Sequence, residues 1–456
     1  SPNIVKAIIY LIKNIFVHWP LKKVSKVEWF EKKKSVFFFS YMFHLDPVKF
    51  NEGKYKTGQW GPITELLPNL SIKTNWMHHF IPNSLIPNAK TGSNFVKKLN
   101  SNSEINGVHQ FILSHLNMVI FFKVVLNYFK MLLKFPLILK FKNSFKPDES
   151  KICFWHLLKN DFVNSIIGPK CIENLLWIEL FDHAFSIMPR QEKGIYLQEN
   201  QGWEKAFITS WKKHKHGNLI GLNNGFVRFW DTRFFEDKRN FENTSDFMFP
   251  TPDQIILTDK ISWKSYLDSG YPENKLIKAE TIRYFDSCLN KSDNKQTTSY
   301  EKKSKLKALI LGDIIYETTN NMIKLLEKIV NKEDFIWTIK SHPACLININ
   351  DHKNIKLENS CENLQDIVSK FDVVVAPAAT LSVLEAYLKN INIIIFLDKD
   401  EINLSPLRGV PEVKLAYDLD TMNKAFSIQE IKNPLNKEQN LFWFDKNLTL
   451  WKKILN

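Results

Sequence analysis

Apolar runs of four to eight residues recur along this chain, and polar or glycine-bearing breaks separate them from stretches with helical spacing. "SVFFFSYM" at 35–42 is bounded by lysines and His44, and a run so short and apolar throughout predicts a buried strand. "KTNWMHHFI" at 73–81 reads as the next strand, after a loop forced by Pro47, Gly53, Gly58, Gly61 and Pro62. Further on, "GIYLQEN" supplies a strand, "QGWEKAFITSWKKHKH" a helix, and "GNLIGLNNGFVRFWD" a strand with its following loop. Such alternation predicts parallel βαβ units.

The polar stretch from Asp286 to Lys305 has no apolar period and reads as a mobile connection. After it the rhythm sharpens. "LKALILGD", "FIWTIKSHP", "DVVVAPAAT" and "INIIIFLD" are strands with their exits, and "TTNNMIKLLEKIV", "ENLQDIVSKF" and "LSVLEAYLKN" are the helices between them. That order predicts a doubly wound unit with ligands at the carboxyl ends of its strands. "QIILTD", from residue 254, is assigned to this second unit. A chain of 456 residues exceeds one core, so two domains are expected, over 1–250 and 251–435. An apolar helical insertion is expected at about 105–145 in the first, and 436–456 should form a terminal helix packing back on the body, its apolar positions being near helical spacing.

The insertion holds the most apolar region, 109–141, which His115, Asn117, Lys123, Asn127, Lys130 and Lys134 interrupt. Charges at the centre of a bilayer are costly, so the pattern speaks against a span. Two readings stay open: an amphipathic helix on a membrane surface, or a buried helix pair. Residues 3–16 pose the same choice.

Composition narrows the classes. With 44% hydrophobic and 24% charged residues the chain is globular rather than disordered. The formal charge of +14 reflects either a lysine-rich compositional bias or attraction to anionic lipid or phosphorylated substrates. Basic residues are spread without a nucleic-acid motif, so no nucleic-acid partner is expected. Cys153, Cys171, Cys288, Cys345 and Cys361 lack C-x-x-C spacing, against a zinc site or disulfide framework and in keeping with a reducing compartment. No segment reads as a cleavable signal peptide. A cytoplasmic chain, peripheral on the inner membrane if 109–141 touches lipid, is the expectation.

Neither G-x-G-x-x-G nor a P-loop occurs, which speaks against classical dinucleotide and NTP sites. Two segments of the second unit carry the strongest chemistry. In "IKSHPAC", His342 and Pro343 leave a strand directly, with Lys340 two residues earlier. In "VVVAPAATLSVLEAYL", a strand ends at Pro377, and Thr380 and Ser382 open a helix whose N–H groups would face an anion. On adjacent strands these loops would share one crevice, a site for a phosphate leaving group with His342 donating to it. Glu385, one turn into the helix, would reach a ribose. A turn at His-Pro and an ordinary helix cap at Thr380 are the plain alternatives.

In the first unit Glu199 is the carboxylate candidate, in the loop of "YLQENQGWEKAF", flanked by Asn200. A sugar transfer needs a base for the acceptor hydroxyl, or a carboxylate nucleophile if configuration is retained. Capping of the following helix by Glu199 is the alternative. Glu204, in the first helical turn, would favour the helix dipole or bind a basic neighbour. After the next strand Asn224, Arg228 and Arg233 surround a glycine, and the arginines either clamp an anionic sugar or pair with Asp231. Asp46, Trp60, Asn75 and His78 suit carbohydrate binding, with core filling the alternative for Trp60. Asp398-Lys399-Asp400 and Asp418-Leu419-Asp420 have D-x-D spacing, common at strand ends by chance, and no metal is assigned.

"FHLDP", "GQWGPITELL", "NWMHHF", "YLQENQGWEKAF", "IGLNNGFVRFWDTRFF" and "FDKNLTLWKKIL" together resemble the bacterial surface carbohydrate biosynthesis proteins over nearly the whole chain. The second half, with His342-Pro343 and Thr380-x-Ser382, is similar to bacterial sialyltransferases and Kdo transferases of the GT-B type. The resemblance implies an α/β, GT-B-like fold, two Rossmann-like doubly wound domains facing a central crevice. It implies an acceptor-binding first domain and a second that binds a nucleotide sugar. It further implies a metal-independent glycosyltransferase of lipopolysaccharide, O-antigen or capsule synthesis, with a CMP-linked nonulosonate or Kdo as donor and a glycan or lipid-linked glycan as acceptor. No further cofactor is implied. In that family a His-Ser pair stands where this chain has "LNNGF", so catalytic duty is not carried over to that loop. A glycerol- or ribitol-phosphate transferase using a CDP donor, and a non-catalytic carbohydrate or membrane scaffold, are the alternatives.

Overall fold

The computed structural model describes residues 2–31, 35–102, 107–223, 225–241, 249–290, 305–432 and 440–456. Asn224 and most of the proposed connection, 291–304, lie outside the described residues, whereas the start of that connection forms a short helix, Phe285–Leu289.

Thirteen described strands form two wholly parallel sheets. The first is built from β1 (Ser35–Tyr41), β2 (Lys73–His79), β3 (Gly107–Phe111), β4 (Lys193–Leu197), β5 (Asn218–Asn223), β6 (Gln254–Leu257) and β7 (Leu276–Lys278), in the order β3-β2-β1-β4-β5-β6-β7. The second is built from β8 (Leu306–Leu311), β9 (Phe335–Lys340), β10 (Leu357–Asn359), β11 (Val373–Pro377), β12 (Asn392–Phe396) and β13 (Lys414–Ala416), in the order β10-β9-β8-β11-β12-β13. Both orders start at an inner strand, run outward, and reverse. They place a switch point between β1 and β4 in one sheet and between β8 and β11 in the other, the signature of doubly wound folds. Two Rossmann-like sheets in one chain give the GT-B-like class.

The first sheet is wider than the apolar runs suggested. "QIILTD" forms β6, which pairs with β5 from Ile220↔Gln254 to Asn223↔Leu257, and β7 extends the same sheet. The first domain therefore runs past residue 250 to at least Lys278. The reason is register: Ile255 and Leu257 complete an apolar cluster with Val227 and Tyr266 on one face of that sheet, while Ile256 joins the main core on the other.

β1 shows why the central strands are apolar without alternation. Phe37 and Phe39 face α7 (Pro169–Ile187) and α8 (Gly202–Lys213) through Phe181, Phe185 and Phe207. Phe38 faces the opposite way, stacking on Trp76 at 4.2 Å and meeting Trp60 edge-on at 5.2 Å. A strand covered on both faces reads as a near-continuous apolar run.

Outside α7 lies a second helical layer. The helices Pro2–His18, Met118–Ile138 and Trp155–Ile167 all pack on it. The apolar stretch at 109–141 thus divides into β3, a short 3-10 turn and the helix Met118–Ile138. The chain ends in the helix Thr449–Leu455 against the first domain, where the buried Glu280 carboxylate accepts from the Leu450 and Trp451 N–H groups at 2.8 and 3.1 Å. Trp451 is wholly buried there.

Candidate active site

The loop after β4 leaves the sheet at the β1/β4 switch point. It is held by Glu204, which closes a capping box with Gln201 at the start of α8. Glu204 Oε1 accepts from the Glu199 N–H at 2.9 Å and the Gln201 N–H at 2.8 Å. Its side chain is buried, and Oε2 has no hydrogen-bond partner. Burial first, and then the Glu199 charge, push its pKa up to about 8, against the two N–H groups that favour the anion. Glu204 is therefore the device that shapes this loop. What it shapes is a half-buried Glu199, with Oε2 3.5 Å from the Tyr41 hydroxyl at the end of β1. Asn200 takes φ 53°, a left-handed conformation that Asn tolerates better than bulkier residues, and donates to the Arg233 carbonyl at 2.8 Å.

A raised carboxyl pKa is also a statement about stability. The folded chain keeps the Glu204 proton where the unfolded chain has released it, so stability falls as pH rises from the ordinary carboxylate range towards about 8. Denaturant unfolding of the wild type and Glu204→Gln at pH about 5, 6.5 and 8 should show the wild type losing ground, by at most about 1.4 kcal/mol per pH unit. Parallel profiles for the two proteins would rule out this titration.

In the loop after β5 both arginines meet Asp231. Arg233 makes a two-pronged pair with Asp231, Nε to Oδ1 and Nη2 to Oδ2, both at 2.8 Å. Arg228 lies 3.6 Å from the same carboxylate, and its Nη1 donates to the Ala379 carbonyl at 3.4 Å. Ala379 belongs to the loop after β11. Arg228 thus ties the carboxyl edge of one sheet to that of the other. Phe226 packs beside it on Phe442 within the second domain's apolar cluster, and Arg408 lies 3.7 Å over the Phe229 ring.

In the second domain the two anticipated loops are not on adjacent strands, because β8 separates β9 from β11. The exit of β8 completes the site instead. Gly312 lies so close to the His342 loop that an added Cβ would stand 3.0 Å from the His342 backbone nitrogen and 3.1 Å from Ser341 Cα. Asp313, buried at the β8/β11 switch point, accepts the Thr380 hydroxyl on Oδ2 at 2.9 Å and the Ile315 N–H on Oδ1 at 3.1 Å. The glycine-acid step in "LILGDII" was the available signal, and only its place between the two loops gives it meaning.

Thr380 is committed to Asp313, and the helix that follows, Val383–Leu388, has only six residues. Its Leu384 and Glu385 N–H groups are turned back to Leu381 and Ser382, so the helix-end anion site does not form as expected. Ser382 is exposed and caps nothing with its side chain. Glu385 is buried, accepting from Gln365 at 3.2 Å with its second oxygen unpartnered. Lys340 donates to the Glu362 carbonyl at 2.5 Å, turned towards the β10 edge and away from the switch point. His342 stays half-exposed beside Pro343, and its Nδ1 accepts the Ala344 N–H at 3.1 Å, which leaves the proton of a neutral ring on Nε2.

Four first-domain candidates are structural. Asp46 caps the helix Pro47–Glu52, accepting from the Val48 and Lys49 N–H groups at 2.9 and 3.0 Å. Trp60 is wholly buried and donates to Ser40 Oγ at 2.7 Å. Asn75 sits low in β2, bonded to both backbone groups of Phe30 and to Gln191. His78 pairs with His109 at 3.0 Å, and burial holds both imidazoles well below their usual range. A cavity of about 290 Å³ adjoins this group, lined by Tyr55, Trp76, His109 and three lysines, but excludes Glu199, Arg228 and Thr380. Asp418 of the second D-x-D pair is also a cap, accepting the Thr421 N–H at 2.8 Å.

No protein-family model and no curated protein matches the chain. Among solved structures it is similar to UDP-N-acetylglucosamine 2-epimerase from Rickettsia bellii, at 12% identity and TM-score 0.45, over 92% of this chain and 95% of that one. It is similar also to MurG of Acinetobacter baumannii, at 10% identity and TM-score 0.40, over 88% and 92% of the two chains. The calicheamicin glycosyltransferase CalG4 aligns at 8% identity and TM-score 0.41, over 88% and 92%. The fold class itself rests on the strand order and parallel register of the two sheets.

Proposed function

We propose that the chain is a GT-B-type glycosyltransferase of bacterial surface polysaccharide synthesis. In this reading it moves a nonulosonate or Kdo from a CMP-linked donor to a glycan or lipid-linked glycan, without a metal. The observation that carries the reading is the Arg228 bridge, which joins the Glu199 side of one switch point to the Thr380–Asp313 side of the other. Glu199 acts on the acceptor hydroxyl or the anomeric carbon, and its loop geometry is fixed by Glu204. His342 Nε2–H and Arg228 stabilise the departing phosphate.

Thermal unfolding against CMP, CDP, UDP, GDP and ADP, with and without magnesium, tests this. CMP at one hundred times its dissociation constant should stabilise by about 2.7 kcal/mol, independently of magnesium, and His342→Ala should reduce the shift. A shift with UDP or GDP alone overturns the donor, and no shift with any nucleotide overturns the transferase reading.

A further inference from the structure

The outer helical layer carries an unusual surface. On the helix Met118–Ile138 and the short turn that continues it, Phe122, Leu126, Phe129, Leu133, Leu137 and Phe141 are between 57 and 81% exposed. The neighbouring helix Pro2–His18 buries only Ala7 and Leu11 and leaves Ile9 and Phe16 exposed at 58 and 75%. Large apolar groups packed this way on one layer cover far more area than single scattered residues would. The charge on these two helical segments has one sign. Residues 1–26 contain five lysines and residues 118–147 six, with no aspartate or glutamate in either segment. Lys130, Lys134 and Lys140 stand exposed among the apolar groups of the second helix.

The layer also has a definite place. Tyr128 donates to the Ile167 carbonyl, just before α7 begins at Pro169. That end of α7 lies on the carboxyl-edge side of the first sheet, where Trp177 meets His79 at the end of β2 and Asn174 faces Gly202 at the start of α8. Residues 129–141 therefore project beyond the edge that bears Glu199.

From apolar and cationic groups interleaved on two helical segments that carry no carboxylate, we infer that this layer docks on the surface of an anionic phospholipid bilayer. The apolar side chains enter the headgroup boundary and the lysines lie at its negative surface. Pro2–Val24 is long and apolar enough to cross a membrane by length and composition. Lys6 and Lys13 in its turns, and its packing on α7, instead favour a position in the plane of the surface. Docking does not depend on the transferase reading. If both hold, a lipid-carried acceptor is presented on the Glu199 side of the crevice.

Flotation of the full chain with phosphatidylcholine vesicles, with and without a minority of phosphatidylglycerol, tests the inference. The protein should float with the anionic vesicles, bind the neutral ones at least tenfold more weakly, and be released at about 1 M salt, where the Debye length is about 3 Å. Combining Lys130→Glu, Lys134→Glu and Lys140→Glu should cut anionic binding by at least roughly tenfold. Leu133→Glu with Leu137→Glu should do the same through the apolar half. Both sets should keep the wild-type melting midpoint, because the replaced side chains are exposed. The inference is overturned by the absence of flotation, by variants that bind like the wild type, or by binding that resists salt as a spanning helix would. It is overturned equally if the leucine variant converts a dimer to a monomer with no vesicle binding, which would assign this face to a second copy.

Discussion

Glu199→Gln is expected to lower turnover by about 10²- to 10⁴-fold while leaving nucleotide affinity unchanged, the range over which a positioned acid or base acts. The substitution keeps side-chain shape and removes only the charge. The loop should hold, because its geometry comes from the Glu199 and Gln201 N–H groups donating to Glu204, and an amide at 199 retains that N–H. The amide oxygen can still take the place of the carboxylate oxygen facing the Tyr41 hydroxyl. Donor binding is assigned to the other sheet, so the nucleotide-induced thermal shift should match that of the wild type. Steady-state rates with a CMP-linked donor, read beside that shift, check both halves. A rate within a few fold of wild type would remove Glu199 from the chemistry, and a lost shift would mean that it binds donor.

Trp60→Ala should destabilise the first domain by about 3–5 kcal/mol, the usual cost of deleting a large aromatic from a core. Its indole is wholly enclosed, meets Phe38 and Trp76 edge-on, and donates to a hydroxyl that is itself buried. Trp60→Phe keeps much of the volume and loses mainly the hydrogen bond, so it should cost less, with about 1–3 kcal/mol for the Ser40 hydroxyl left behind. Denaturant unfolding measures both, and the KM of whatever protein remains folded should not change. A rise in KM with stability intact would restore Trp60 as a platform for sugar.

Much of this architecture is written in local sequence. The runs at 35–42, 194–197, 306–311 and 373–377 become central strands because a residue covered on both faces must be apolar, and that requirement is visible one run at a time. The caps at Asp46, Asn88 and Asn117 bond within three residues of themselves, a local signal that the reading of Asp46 as a sugar contact passed over. Glu199 could likewise be placed in a strand-to-helix loop from the order of residues around it.

What the sequence left open depends on partners far along the chain. Trp60 and Asn75 have the composition of a sugar site, and only the arrival of Phe38 on one and of Phe30 and Gln191 on the other makes them structural. "QIILTD" reads, by its place in the order, as part of the second domain, and its hydrogen bonds to β5 put it in the first. Asp313 gains significance because β8 lies between β9 and β11, and Arg228 because its guanidinium reaches a carbonyl in the opposite domain. Periodicity and capping are short-range physics, so the sequence by itself determined the central strands and the helices between them. Strand adjacency and burial come from long-range pairing, so the tertiary structure alone decided which polar residues line the crevice and which are sealed in the core.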